Sequence, residues 1–398
     1  MTEISLSPSS SNASSSRASS PTLSKVISKD LIARINHPVY RINALALSYV
    51  VLGYGLSIIC ISTSTVWANL MGVVLLTHTL TWAAYFTHEF MHGTIFRTYQ
   101  ANAIAGKVML FLTGSCYCRY RALARYHLAH HKNKADFSAF SIADFLNALP
   151  RWLRQTIVTL ESLYFPVVNF ILRWFCALSP FLGKTRQADR WRNGNLLFIR
   201  GALFTALGLY SWRALVLYFC SYICFINILQ FIDCFQHTFE VFQLGNPIPK
   251  FSLAYEEANT FSNLFPGQWP WLNLLLLNFG YHNAHHRMMV CPWYLLPQLD
   301  ADLYQPGYRQ VVTLDKLIKG YHKYRTHRLF SGEGHVEDTD TGINLELFYG
   351  AIGVSFLVLR EPLDWLTLPS LETGSLQILT KASYRQKPPT ENSEKKPM

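Results

Sequence analysis

Charge is scarce in this sequence. Only 15% of its 398 residues are Asp, Glu, Lys or Arg, against about 25% in an average soluble domain. Half of the chain is hydrophobic, a balance that argues against an ordinary soluble or disordered protein and points to a membrane. The start, MTEISLSPSSSNASSSRASS, lacks the apolar core of a signal peptide and reads as a disordered Ser-rich tail over 1–24. A transit peptide is disfavoured by Glu3 and by the single arginine. Eight cysteines occur, yet C-x-x-C spacing is missing, since Cys116 and Cys118 have one residue between them. That excludes both a disulfide framework and a zinc ribbon. No G-x-G-x-x-G follows a strand pattern, and haem, flavin and iron–sulfur motifs are absent, so no redox domain is recognised. No repeat of fixed period is present. A polar tail over 381–398 leaves 25–380 as one domain.

What the chain has in quantity is apolar sequence and histidine. Residues 43–62 (NALALSYVVLGYGLSIICIS) and 66–86 (VWANLMGVVLLTHTLTWAAYF) each approach the roughly 20 residues needed to cross a bilayer. Residues 195–210 and 213–232 form a second apolar pair, with Arg200 placed to snorkel to the interface. The run 157–182, interrupted by Glu161, Pro166 and Arg173, reads as interfacial. Residues 343–358 read as a buried or membrane-surface helix, too short to span. The expected fold is an all-α integral membrane bundle of about four transmembrane helices in two hairpins, with a helical cytoplasmic cap.

Lys25, Lys29, Arg34 and Arg41 precede the first span, and many basic residues lie between 97 and 192. The turn 62–65 is uncharged and the turn of the second pair has only Arg213. By the positive-inside rule, both termini and the central segment are expected in the cytoplasm. The same distribution accounts for the formal net charge of +11 without invoking nucleic acid.

Nine of the 14 histidines fall in four places: His88 and His92 in THEFMHG, His127, His130 and His131 in RYHLAHH, His237 in DCFQHTFE, and His282, His285 and His286 in NFGYHNAHH. Taken alone, H-E-x-x-H suggests a zinc peptidase with Glu89 as general base, but that leaves the six histidines of the two triplets unused, besides His237. On a helix, positions i, i+3 and i+4 share a face, so each triplet presents three imidazoles together. All four groups follow the expected cytoplasmic ends of spans. Nine imidazoles exceed one tetrahedral zinc and suffice for two metals. Ligand type alone leaves iron, zinc, copper and nickel open. Soluble di-iron sites use glutamates with paired Glu-x-x-His motifs, and only Glu89 with His92 has that spacing here. A non-enzymatic metal carrier explains the histidines but not their order.

These boxes resemble those of the membrane fatty acid desaturase and hydroxylase superfamily, over residues 85 to 297 and in the same order. The resemblance implies that His88, His92, His127, His130, His131, His237, His282, His285 and His286 bind two non-haem irons, with O2 as co-substrate. It implies oxygen-dependent desaturation of a long acyl chain, carried as lipid or thioester. A hydroxylase, acetylenase or carotenoid oxygenase is the alternative. Asp233 matches a polar residue that holds a metal-bound water, and its carboxylate also suits orienting a ligand histidine. Asn278, one turn before His282, and Glu89 are further supporting candidates, Glu89 as a partner that orients an imidazole. Electrons are expected from a separate ferredoxin or small cytochrome docked on the basic face.

The remaining histidines have plainer readings. His78 lies ten residues before His88, about 80° off that face, and is expected to pack or hydrogen-bond. His37, His322, His327 and His335 lack box spacing and are expected at the surface. Trp82, Tyr85, Phe86, Trp269 and Trp271 suit either an acyl tunnel or an interfacial belt. Arg97, Tyr99 and Arg119 suit either a substrate head group or the positive-inside excess.

Overall fold

The uncharged turn 62–65 folds the first two apolar runs into a helical hairpin. The computed structural model describes residues 27–358 apart from 139–140, 185, 244–245, 306–309, 332–335, 340–341 and 353–355. Both expected tails and His335 lie outside the described residues. Helix α1 (Lys29–Asn36) precedes α2 (Tyr40–Ser62) and α3 (Val66–His92). Asn69 Nδ2 closes the turn by donating to the carbonyls of Cys60 at 2.9 Å and Thr63 at 3.1 Å. A Cβ on Gly72 would stand 2.7 Å from the Ile61 side chain, so glycine is what lets the two helices approach there.

Helix α4 (Tyr99–Leu112) folds back on α3 and leads to α5 (Tyr120–Asn133), strand β1 (Asp136–Ser138), α6 (Ile142–Ala148), α7 (Arg151–Ser162), α8 (Val167–Leu182), α9 (Arg190–Tyr210) and α10 (Trp212–Asp233). Strand β2 (Val241–Gln243) then pairs with β1 in parallel. Helix α11 (Leu253–Ala258), a 3-10 segment (Pro270–Leu276), α12 (His282–Arg287), α13 (Leu296–Leu303) and α14 (Leu314–Lys323) follow. Strands β3 (Val336–Thr339) and β4 (Gly342–Phe348) pair antiparallel. The protein is thus mostly helical, as expected, with two small two-stranded sheets among the described residues.

The expected helix over 343–358 is not formed, because 342–348 is strand β4. The alternation I-N-L-E-L over 343–347 has the period of a strand, and it prevails over the length of the apolar run. Phe348 is buried against Phe235 and Phe261.

Among the described residues, three helices are long and apolar enough to cross a membrane: α2, α3 and α10. The expected partner of α10 is present as α9, and the two pack together. With Arg190, Arg192 and Arg200, α9 is not among the three, although it exposes Phe198, Leu203 and Leu209. Arg200 does not snorkel; it donates to the Phe111 carbonyl and lies over the rings of Phe111 and Phe204. Residues 151–182 form α7 and α8, bent by 114° at a break where Tyr164 has φ 62° and Pro166 cannot continue a helix. A pair turned past the perpendicular does not run on as one straight span, consistent with the interfacial reading.

That bend is held from inside. Arg325, which follows α14, donates through Nε to the Glu161 carbonyl at 2.9 Å and lies 3.3 Å from Glu161 Oε2. It also reaches Gln230 Oε1 on α10 at 3.2 Å and the Tyr321 hydroxyl at 2.8 Å. Glu161 and Arg325 are 2% and 6% exposed, so each depends on the other for its charge. Removing one member of such a pair costs about 3–5 kcal/mol. Arg325→Met is therefore expected to lower the unfolding temperature in detergent clearly, and Arg325→Met with Glu161→Gln to recover part of the loss; equal melting of wild type and single variant would refute the clamp.

Candidate metal centre

Four segments deliver the boxed histidines to one place. The first pair comes from the last turns of α3, which Gly93 ends at φ 72°. Thr94 N then donates to the Glu89 carbonyl, a C-terminal stop that fits glycine. The second box is the inner face of α5. The loop 111–117 before it is held by arginines: Arg173 donates to Ser115 Oγ at 2.5 Å and the Thr113 carbonyl at 3.3 Å, Arg186 to the Tyr117 carbonyl at 2.6 Å, and Arg192 to the Cys116 carbonyl at 2.7 Å. Arg119 is committed as well, to Asp189 at 2.5 Å, and Arg97 donates to the Tyr40 hydroxyl.

His237 follows the end of α10 and forms a bridge with Thr260. The third box is α12 itself. Leu277 and Asn278, both with positive φ, turn the chain into it. Asn283, inside the box, donates to the Thr260 carbonyl at 2.8 Å, which ties the third box to the His237 segment.

The nine rings form two adjacent groups. Ligand atoms of His88, His92, His127, His131 and His285 lie within 4.8 Å of one another, as do those of His130, His237 and His286. His282 Nε2 joins the second group, 2.7 Å from His237 Nε2. Helix α5 therefore gives His127 and His131 to one group and His130 to the other. Helix α12 likewise gives His285 to the first and His282 and His286 to the second. Where the groups meet, the rings of His131 and His286 are 4.1 Å apart.

Imidazole nitrogens face each other at 2.8 Å (His92 to His127) and 3.2 Å (His131 to His127, His285 to His131, His130 to His237). Two ligands at ~2.0–2.1 Å from one cation stand ~2.9 Å apart at a right angle and ~3.3 Å apart at the tetrahedral angle. The spacing fits that of ligands sharing a cation. His88 has both ring nitrogens buried without a hydrogen bond, and His286 has Nε2 so placed. Burial first, then the neighbouring imidazoles, holds His127, His131, His237, His282 and His286 well below the ordinary imidazole range, and His285 is lowered to about 3. Neutral imidazole is the form that binds metal. The donor set fits two cations, five histidines to one and four to the other, with no carboxylate in either group.

The supporting residues match those expected only in part. Glu89 Oε1 comes within 3.4 Å of His88 Nδ1, but its hydrogen bonds come from Thr94 Oγ1 at 2.7 Å and the Trp293 amide at 3.3 Å. Asn278 Nδ2 donates to the Trp293 carbonyl at 3.1 Å. Both residues thus converge on the Trp293 peptide, whose indole Nε1 donates to Asn43 on α2 at 3.1 Å. Asp233 hydrogen-bonds no histidine; its carboxylate is buried beside the Tyr85 hydroxyl, and neither has a well-formed hydrogen bond.

Two further carboxylates touch ligand rings, Asp136 and Glu256, neither expected from sequence. Asp136 Oδ1 lies 2.8 Å from His130 Nδ1, which is also 3.1 Å from the Ala135 carbonyl. His286 Nδ1 lies 3.2 Å from Glu256 Oε1, with Lys134 Nζ 3.6 Å from Glu256 Oε2. Asp136 could have been noticed six residues after His130, whereas Glu256 stands 30 residues before its histidine and carries no local signal. His78 packs as expected, with Tyr49 Oη 2.5 Å from its Nδ1 and the Leu275 carbonyl 3.1 Å from its Nε2.

Carboxylates behind metal-bound imidazoles typically change metal affinity by about 10–100-fold. Asp136→Asn and Glu256→Gln are therefore each expected to retain less metal than wild type after dialysis against a chelator. Elemental analysis showing unchanged retention in both variants would remove them from the support of the centre.

A model of the family described as fatty acid desaturase matches residues 65–316, a segment that contains all four histidine groups. The search of curated proteins gave no significant match. With nine converging imidazoles in the order H-x-x-x-H, H-x-x-H-H, H, H-x-x-H-H and a family match over more than half its length, the chain belongs to the fatty acid desaturase family.

Proposed function

We propose that the protein is an oxygen-dependent desaturase of long acyl chains. The single observation that carries this reading is the division of nine histidines into adjacent groups of five and four. His88, His92, His127, His131 and His285 would hold one iron, and His130, His237, His282 and His286 the other. Two irons held there supply the dioxygen-dependent removal of hydrogen from an unactivated C–H bond.

The protein's own part is to position the chain and exclude water. A narrow space beside the five-histidine group is lined by Tyr85, His88, Glu89, Leu277, Phe279, His285 and Leu296. Phe279 stacks on Tyr85 at 4.3 Å and stands edge-on to His88 at 4.8 Å. Phe356 covers His88 from another side, with centroids 5.5 Å apart. These rings give an acyl chain apolar contact next to the histidines. They also leave little room for water beside them. The peptidase reading finds no support here, because Glu89 is occupied by Thr94 and the Trp293 amide.

Electrons would enter through α5. Its inner face carries three box histidines, while Arg121, Arg125 and Lys132 are exposed on its outer side. One helix is about 10–12 Å thick with its side chains, so an acidic ferredoxin or small cytochrome docked there would lie close to the histidines. Reversing these three charges to Glu is expected to raise KM for the donor several-fold while leaving bound iron unchanged. An unaltered KM would exclude this face.

Expression in a host followed by lipid mass spectrometry tests the reaction itself. Wild type should add unsaturated acyl chains, and His285→Ala should not. Hydroxylated chains in their place would select the hydroxylase alternative, and unchanged lipids in a host co-expressing a donor would refute acyl oxidation.

A further inference from the structure

Between Glu257 and Arg287 the sequence has no Asp, Glu, Lys or Arg. Most of this stretch is buried around the third histidine box, but the 3-10 segment Pro270–Leu276 and the residues just before it are not. Trp269 is 51% exposed, Trp271 61%, and Leu274 and Leu275 44% each. Four large apolar side chains on one short uncharged segment are a costly surface to leave in water.

The position of the segment is fixed by two hydrogen bonds from α3. His78 Nε2 and Trp82 Nε1 both lie 3.1 Å from the Leu275 carbonyl. Both residues belong to a helix long and apolar enough to cross a membrane, and His78 Nδ1 is paired with Tyr49 of α2. The polar end of α2 on that side is Asn43, which is bound to the Trp293 indole, and the apolar run begins immediately after it. From Asn43 to Tyr49 is six residues, or ~9 Å along a helix. The Leu275 carbonyl therefore stands well inside the apolar band of the hairpin. Interfacial segments bury their apolar faces about 5–10 Å into the headgroup and acyl boundary, which is this depth.

From these observations we infer that residues 269–275 are inserted into the lipid interface of the bilayer and anchor the third histidine box to it. The exposed side chains continue the outward apolar surface of the α2–α3 hairpin, where Leu45, Leu52, Met71 and Val74 are more than half exposed. An acidic protein partner has no countercharge to bind on this segment. The occupant is a phospholipid surface, with the indoles at the level where amphipathic rings settle. The anchor ends seven residues before His282, so it also sets the height of α12 against α3. This inference concerns the fit to the bilayer and does not depend on the reaction performed.

The test uses the full chain reconstituted in phosphatidylcholine vesicles that contain phospholipid brominated near either the headgroup end or the methyl end of its acyl chains. Tryptophan fluorescence of wild type is compared with that of Trp269→Phe with Trp271→Phe, and the difference reports the two indoles. Their emission should be lost to bromine near the headgroup end and be insensitive to iodide in the surrounding water. Iodide quenching would put the segment in water, and quenching from the methyl end alone would put it in the bilayer core; either overturns the inference. Bound metal is measured in both proteins as a check on folding. Should the double variant lose metal, single Trp271→Tyr supplies the same difference.

Discussion

Nine imidazole nitrogens must meet within two contiguous groups, and they come from four segments spread over some 200 residues of chain. Histidine rings crowded at hydrogen-bonding distance are a poor interior by themselves, because buried acceptors without donors lose their hydration with nothing in return. Much of the remaining structure exists to hold them there. The end of α3 is set by Gly93 and by Glu89, the start of α5 by arginines that grip the carbonyls of 111–117, and His237 by its bridge to Thr260. The last segment, α12, is aimed by two left-handed residues and by the peptide of Trp293.

Those arginines change the meaning of the basic charge. Arg119, Arg173, Arg186, Arg192 and Arg200 all act on internal partners, mostly backbone carbonyls or Asp189. A guanidinium offers several donors in a fixed plane, which suits a loop whose carbonyls have no helix or sheet N–H to accept from. Much of the excess between 97 and 192 is therefore scaffold. Other basic residues, Arg121, Arg125 and Lys132 on α5 among them, remain exposed.

The histidine groups were legible because the ligands sit at helical spacings, where i, i+3 and i+4 mean one face whatever surrounds the helix. The first two apolar runs were legible for a similar reason, since hydropathy alone suffices for a helix surrounded by lipid. The supporting residues were not. Asn278 turns to Trp293 rather than to an imidazole, and Glu89, beside His88, also takes the Trp293 amide; the role of Trp293 comes from its three-way contact with α2, α3 and the turn before α12. Glu256 reaches His286 across 30 residues through tertiary folding. Over 343–358, the length of the apolar run suggested a helix, while the two-residue alternation inside it decided for a strand.

Helices α5 and α12 each supply rings to both groups, so the groups share their backbone as well as a boundary. Whatever cation enters one of them also fixes two helices that carry most of the other's ligands. The entropy of ordering those helices falls on the first ion and is largely spared the second. Shared ordering of this kind favours filling both groups over filling one.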